Sequence, residues 1–176
     1  MDRKFIVIIL VSVLLGASVG FGLSWIVVRP QLLQLRNQLD GLTSPASFVM
    51  FSSGGTTYGI NGSSGEVVSS GEDAATEIQS VLDRLGNTGG KVVLRPGTYF
   101  LSTSILIRHS NVVLEGSGKS TVLFLADGVN TDILVVDAIG AGKNLSGITI
   151  RNLRLDGNRD HNPIAGHGIT LNGDVS

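Results

Sequence analysis

Gly89-Gly90-Lys91-Val92-Val93-Leu94-Arg95-Pro96-Gly97-Thr98-Tyr99-Phe100-Leu101 contains two short β-rich runs, Val92–Leu94 and Tyr99–Leu101, with a Pro-Gly corner between them and a Gly-Gly pair in front. Runs of this kind recur downstream and sort into three columns. Val92–Leu94, Val112–Leu114 and Ile148–Ile150 make the first; Tyr99–Leu101, Val122–Phe124 and Leu153–Leu155 the second; Ile105–Ile107, Ile133–Val135 and Ile169–Leu171 the third. The spacing from Val92 to Val112 is 20 residues and from Val112 to Ile148 it is 36, the period range of stacked supersecondary units. A polar residue that interrupts a run takes its middle place, as Thr149, Arg154 and Thr170 do, so the flanking residues can point inward and stack. Three strands per turn predict a three-faced coil. The alternative is a β-sandwich of nine short strands, but links this variable in length do not suit two-residue hairpins.

Upstream, Gly71 to Gly86 reads as a helix. Ala74, Ala75, Ile78, Val81, Leu82 and Leu85 form one apolar stripe, Asp73 can cap its start and Gly86 can stop it. Tyr58–Ile60 and Glu66–Ser69 flank Asn61-Gly62-Ser63-Ser64-Gly65 as the strands of a hairpin would. Leu32, Leu35, Leu39 and Leu42 mark a short amphipathic helix ended by Thr43-Ser44-Pro45, too brief for a sustained coiled coil.

Phe5 to Val28 is 24 residues without a charge, longer than the roughly 20 that cross a bilayer as a helix. Arg3 and Lys4 precede it and only Arg29 follows, so the positive-inside bias predicts a cytoplasmic N-terminus and an extracellular bulk. A cleaved signal peptide, processed near Ser18 or Gly20, is the competing reading, although the apolar run extends past the usual h-region. The expected organisation is an anchor at 1–29, a stalk, linker and hairpin at 30–70, and the strand-rich part at 71–176. Setting aside Asp2, Arg3, Lys4 and Arg29 leaves 10 basic against 13 acidic residues, a net of −3, which gives nucleic acid nothing to bind. Cysteine is absent, so there is no disulfide framework and no thiolate metal site. The chain stops at Gly173-Asp174-Val175-Ser176 just after a strand and without a polar cap, so the sequence is expected to be part of a longer one.

Three segments carry a resemblance: Gly71-Glu72-Asp73-Ala74-Ala75-Thr76-Glu77-Ile78-Gln79, then Gly89 to Tyr99, then Asn111-Val112-Val113-Leu114-Glu115-Gly116-Ser117-Gly118. Over about residues 65–173 the chain resembles the N-terminal part of pectate-lyase-like and polygalacturonase-like proteins. The resemblance implies an all-β fold, a right-handed parallel β-helix with three-strand rungs and an N-terminal capping helix, here preceded by a transmembrane helix. It also implies a polysaccharide-facing surface. It is specific for a fold and not for a reaction, since such proteins include lyases, hydrolases, phage tailspikes and surface proteins without known activity.

The densest polar stretch is Arg151 to Asn162, where Asp156, Asp160 and His161 are acid, base or calcium-ligand candidates, and Arg154 is the candidate contact for a sugar carboxylate. Gly166-His167-Gly168 resembles the Gly-His-Gly of polygalacturonases, which makes His167 a further catalytic candidate. The adjacent aspartate pair of that group is missing, and inverting hydrolysis needs two carboxylates about 6.5–9.5 Å apart. No metal ligand set can be assigned; calcium is the one cofactor that the resemblance would call for. Asn61-Gly62-Ser63 and Asn144-Leu145-Ser146 match the glycan acceptor pattern. Gly116-Ser117-Gly118-Lys119-Ser120 fails as a phosphate-binding loop, because Val113 stands where the first glycine is needed and a strand follows.

Three functions are compatible with this reading: a polysaccharide lyase or glycoside hydrolase at the cell surface, a non-catalytic module that binds glycan or holds a coat layer, and an adhesin-like relative of phage proteins. All place membrane and polysaccharide among the partners. For the anchor the expected outcome is direct: protease added to intact cells digests the residues after Arg29, and a chain left untouched contradicts the assigned orientation.

Overall fold

The computed structural model describes residues 46–164 and 166–176. The predicted span at 5–28 and the leucine-seamed helix at 31–42 lie outside the described residues. Among the described residues no helix is long and apolar enough to cross a membrane.

The chain runs through β1 (Phe48–Ser53), β2 (Thr56–Asn61), β3 (Val67–Gly71), α1 (Ala74–Leu85), β4 (Gly90–Leu94), β5 (Gly97–Leu101), β6 (Ile105–Ile107), β7 (Val112–Glu115), β8 (Thr121–Leu125), β9 (Leu134–Asp137), α2 (Ala138–Ala141), β10 (Thr149–Arg151), β11 (Arg154–Asp156) and β12 (Ile169–Asn172). These strands form three sheets: a six-stranded one ordered β10-β7-β4-β1-β2-β3 and two three-stranded ones, β11-β8-β5 and β12-β9-β6.

This corrects the predicted fold class. A right-handed parallel β-helix of three-strand rungs would repeat parallel strands alone, whereas the largest sheet here is mixed. β1, β2 and β3 are an antiparallel meander that joins the parallel strands through β1 and β4. The physical cause lies in two turns. Gly54 and Gly55 (φ 61° and 82°) take up the left-handed backbone of a tight hairpin between β1 and β2. At the second turn the Asn61 side chain accepts from the Ser63 and Ser64 amides at 2.9 and 3.1 Å. Each turn sends the chain back beside itself. The two purely parallel sheets are only three strands deep, and no strongly curled solenoid is built up. The described fold is mostly β, with mixed and parallel sheets and two short helices.

Register fixes which side chains are inside. Val92 and Leu94, Tyr99 and Leu101, Ile105 and Ile107, Leu114, Leu123, Leu134 and Val136 are buried, and alternate residues face outward. In β8 the inward set is Thr121, Leu123 and Leu125, so Phe124, grouped with the inward positions by the sequence pattern, is on the outer face. Burial of Thr121 permits this frame: its hydroxyl lies 3.3 Å from the carbonyl oxygens of Leu94 and Arg95 and accepts from the Ser117 amide at 2.9 Å. Likewise β9 buries Leu134 and Val136 around a half-buried Val135, one position on from the expected frame. Buried Tyr99 donates its hydroxyl to the Arg95 carbonyl (2.9 Å) and lies 3.2 Å from that of Met50; burial pushes its pKa up to about 12.

α1 buries Ile78, Val81, Leu82 and Leu85 and packs against β2, β3, β5 and β6. Its polar residues serve the sheet edges. Asp73 caps the helix through the Ala75 and Thr76 amides and also accepts from the Ser102 amide at 3.1 Å. Burial would raise that carboxyl, but the bonds from Thr76 and Ser102 hold it below its usual range. The Gln79 carboxamide accepts from the Leu106 amide at 2.8 Å and donates to the Leu106 carbonyl at 3.0 Å, so it stands in for a neighbouring strand on the free edge of β6. On the outer face of the mixed sheet, Glu115 bridges Lys91 (2.7 Å) and Arg151 (3.0 Å), which together pull its pKa down to about 2.

Gln79→Ala leaves both Leu106 groups unpaired and should lower stability by about 1–2 kcal/mol. Gln79→Glu, which keeps the acceptor but sets a carboxylate against Asp83 and the Leu106 carbonyl, should not recover the wild-type midpoint. Urea unfolding with an unchanged slope and these midpoints checks the edge role; equal midpoints for all three proteins would refute it.

Candidate functional site

The chain leaving β11 carries most of the residues singled out in the sequence. Arg154 and Asp156 are two apart on a strand and therefore share a face, where they form an ion pair at 2.6 Å. The second Asp156 oxygen accepts from the Asn158 amide at 3.1 Å and starts a turn. Asn158 has the left-handed backbone (φ 48°) that asparagine tolerates, and its amide donates to the Leu125 carbonyl (3.2 Å) and to Asp127 (2.7 Å). Its oxygen lies 3.0 Å from His161 Nδ1, so that nitrogen is the donor.

Asn162 is the pin of this loop. It is buried, donates to the carbonyls of Ala126 and Gly157 at 3.0 and 3.1 Å, and accepts from the Asn130 amide at 3.0 Å. Asn130, also left-handed, accepts in turn from the Ile164 amide at 3.1 Å. A segment with little apolar content is thus held to the turn after β8 by asparagine side chains that replace strand pairing.

His167 is gathered separately, onto Asp132. One Asp132 oxygen accepts from the His167 backbone amide (2.6 Å) and lies 3.0 Å from His167 Nδ1; the other accepts from the Thr170 hydroxyl at 2.8 Å. The His167 amide is the chief reason that the Asp132 carboxyl lies below its usual range. With Nδ1 donating to this carboxylate, Nε2 of a neutral ring is an acceptor. His167 stood in the sequence as a candidate without the adjacent aspartate pair, and the fold sets it instead on Asp132, 35 residues earlier in the chain. Sequence spacing could not have found that pair. Asp160, by contrast, is exposed on the loop and joins neither group.

Between the two groups lies a cleft of about 420 Å³, within the size range of small-ligand sites. Leu125, Ile133 and Leu155 give it an apolar floor, and Thr131, Arg159 and His167 line it with polar groups. Arg159 enters no ion pair among the described residues. The arrangement can hold hydroxyl or carboxylate groups through one guanidinium and one imidazole. It is poorly equipped for acid catalysis, because the donors on Asp132 hold that carboxyl below its usual range and Asp156 is engaged by Arg154. Among the described residues no group of three or more acidic or histidine side chains is placed to hold a metal ion.

The sequence reading also overlooked Phe100 and Phe124, which lie on the outer face of β5 and β8 with ring centroids 5.5 Å apart. Their signal was available in part: Phe100 is the middle residue of its run, the place that polar residues take elsewhere.

For Asp132 the pH dependence has a definite sign. A carboxyl held below its unfolded value adds stability that is complete above that value and is lost as pH falls through the folded one. Amide exchange at His167 and Thr170, taken relative to the intrinsic rate at each pH, should therefore accelerate in wild type as pH drops below the ordinary carboxylate range. In Asp132→Ala it should be fast, by about tenfold or more, at every pH, while Val92–Leu94 stay protected. Unchanged protection in the variant would contradict the clamp.

No family model matches the chain, and no curated protein matches it. Among solved structures the chain is similar to a protein described as "Geobacillus virus E2 - ORF18", at 17% identity and a TM-score of 0.45, over 65% of this chain and 29% of that one. The chain thus spans less than a third of that protein's length.

Proposed function

We propose that this protein binds polysaccharide outside the cell, held at the membrane by residues 5–28, and that the described residues bind without cleaving. The observation that supports this best is the cleft beside Asp132 and His167, where Arg159 and an oriented imidazole flank an apolar floor. Such a floor suits the C–H face of a sugar ring, and the two polar groups suit its substituents. The likeness of Gly89–Tyr99 and Asn111–Gly118 to segments of polysaccharide-facing proteins supports the ligand class. Binding is favoured over catalysis because general acid–base cleavage needs one protonated and one ionised group across the scissile bond, and both ordered carboxylates are already committed to donors.

The full chain should be titrated with pectate, polygalacturonate and a neutral glucan, with and without calcium. At least one polymer should bind, and the double variant Arg159→Gln/His167→Ala should weaken it by about tenfold or more, with no new reducing ends and no unsaturated products. Equal binding by the variant would remove the cleft from the function, and turnover lost on His167→Ala would make the site an active site.

A further inference from the structure

The outer face of the β11-β8-β5 sheet is a grid of paired positions. Register aligns Thr98, Val122 and Arg154 in one row across the three strands, and Phe100, Phe124 and Asp156 in the next. Strands lie about 4.8 Å apart, so each row steps across the sheet at roughly the length of one pyranose ring. Phe100 is 57% exposed, although a large aromatic side chain is usually covered. It meets Phe124 edge to face, with the ring planes 69° apart. Next to Phe124 stands the Arg154–Asp156 pair, whose charges cancel at 2.6 Å.

We propose that this face is a stacking subsite for a neutral hexopyranose polymer whose hydroxyls are equatorial. The inference rests on the polysaccharide reading above and names the class of sugar. A ring of that kind carries its hydroxyls around its rim and leaves its axial C–H bonds on the two faces, and those weakly positive hydrogens suit the negative face of a phenyl ring. The rim hydroxyls of a ring stacked on Phe124 or Phe100 come within reach of the neighbouring ion pair, which offers guanidinium donors and carboxylate acceptors side by side. Charge selects against the acidic alternative. Arg154 is already neutralised by Asp156, and the chain beyond the anchor carries a net −3, so a polyanion gains no attraction on this face. Nucleic acid bases, which also stack on phenylalanine, are disfavoured by the same charge.

The test uses the full chain with cellohexaose and hexagalacturonate as probes, followed by calorimetry and by the ring signals of Phe100 and Phe124. Cellohexaose should bind the more tightly and shift both ring signals. Phe100→Ala/Phe124→Ala should weaken it about tenfold or more; Phe100→Leu should not restore affinity, and Phe100→Trp should. Preference for hexagalacturonate, or full affinity in the alanine variant, overturns the stacking subsite. If the alanine variant keeps its affinity while Arg159→Gln/His167→Ala loses it, the subsite alone falls. If neither probe and no polymer binds, the polysaccharide reading falls with it. Sedimentation showing wild-type self-association that the alanine variant abolishes would make the face an interface between copies and would equally overturn the proposal.

Discussion

Short parallel strands leave many backbone groups unpaired at their corners and along their first edge, and the structure depends on side chains that satisfy them. Antiparallel hairpins close with a turn that pairs its own ends, but a chain passing from one parallel sheet to the next has no such closure. The paired groups are specific: Gln79 on Leu106, Asp73 on Ser102, Thr121 near Leu94 and Arg95, Asn158 on Leu125, Asn162 on Ala126 and Gly157. Apart from the exposed Ser102 amide, each would leave a buried or half-buried orphan if removed.

The candidate site follows from this constraint. The loop from Gly157 to Gly168 has too few apolar residues to be held by burial, so asparagines tie it to the turn after β8 and Asp132 ties its far end through His167 and Thr170. Polar groups recruited to satisfy backbone and loop thereby become an ordered polar surface around an apolar cleft. The same economy limits the chemistry. A carboxylate that accepts two or three bonds is a good clamp and a poor general acid.

The outer faces show a different balance. Glu115 with Lys91 and Arg151, and Asp156 with Arg154, pair opposite charges across or along strands, which is an ordinary use of a solvated sheet face. Phe100 and Phe124 are not ordinary there. Inward burial would satisfy them, yet register places them outward, because Tyr99, Leu101, Leu123 and Leu125 already fill the interior.

Much of the local structure was legible in the residues: the helix bounded by Asp73 and Gly86, the Asn61-Gly62 turn, the runs that became β4 to β12, and a polar stretch after β11. These are local properties of period, capping and turn chemistry, which act within a few residues. What only the tertiary structure decided was long-range. Pairing of β1 with β4, Phe48 beside Val92, joined the antiparallel hairpins to the parallel strands, made the largest sheet mixed and overturned the uniform coil. A buried Thr121, tolerated because distant carbonyls lie within its reach, shifted the frame of β8 and turned Phe124 outward. Asp132 met His167 because strand pairing between β9 and β12 brought them side by side. Pairings between residues 35 apart depend on register, and register is fixed by the sum of the core, so no single stretch of sequence can state it.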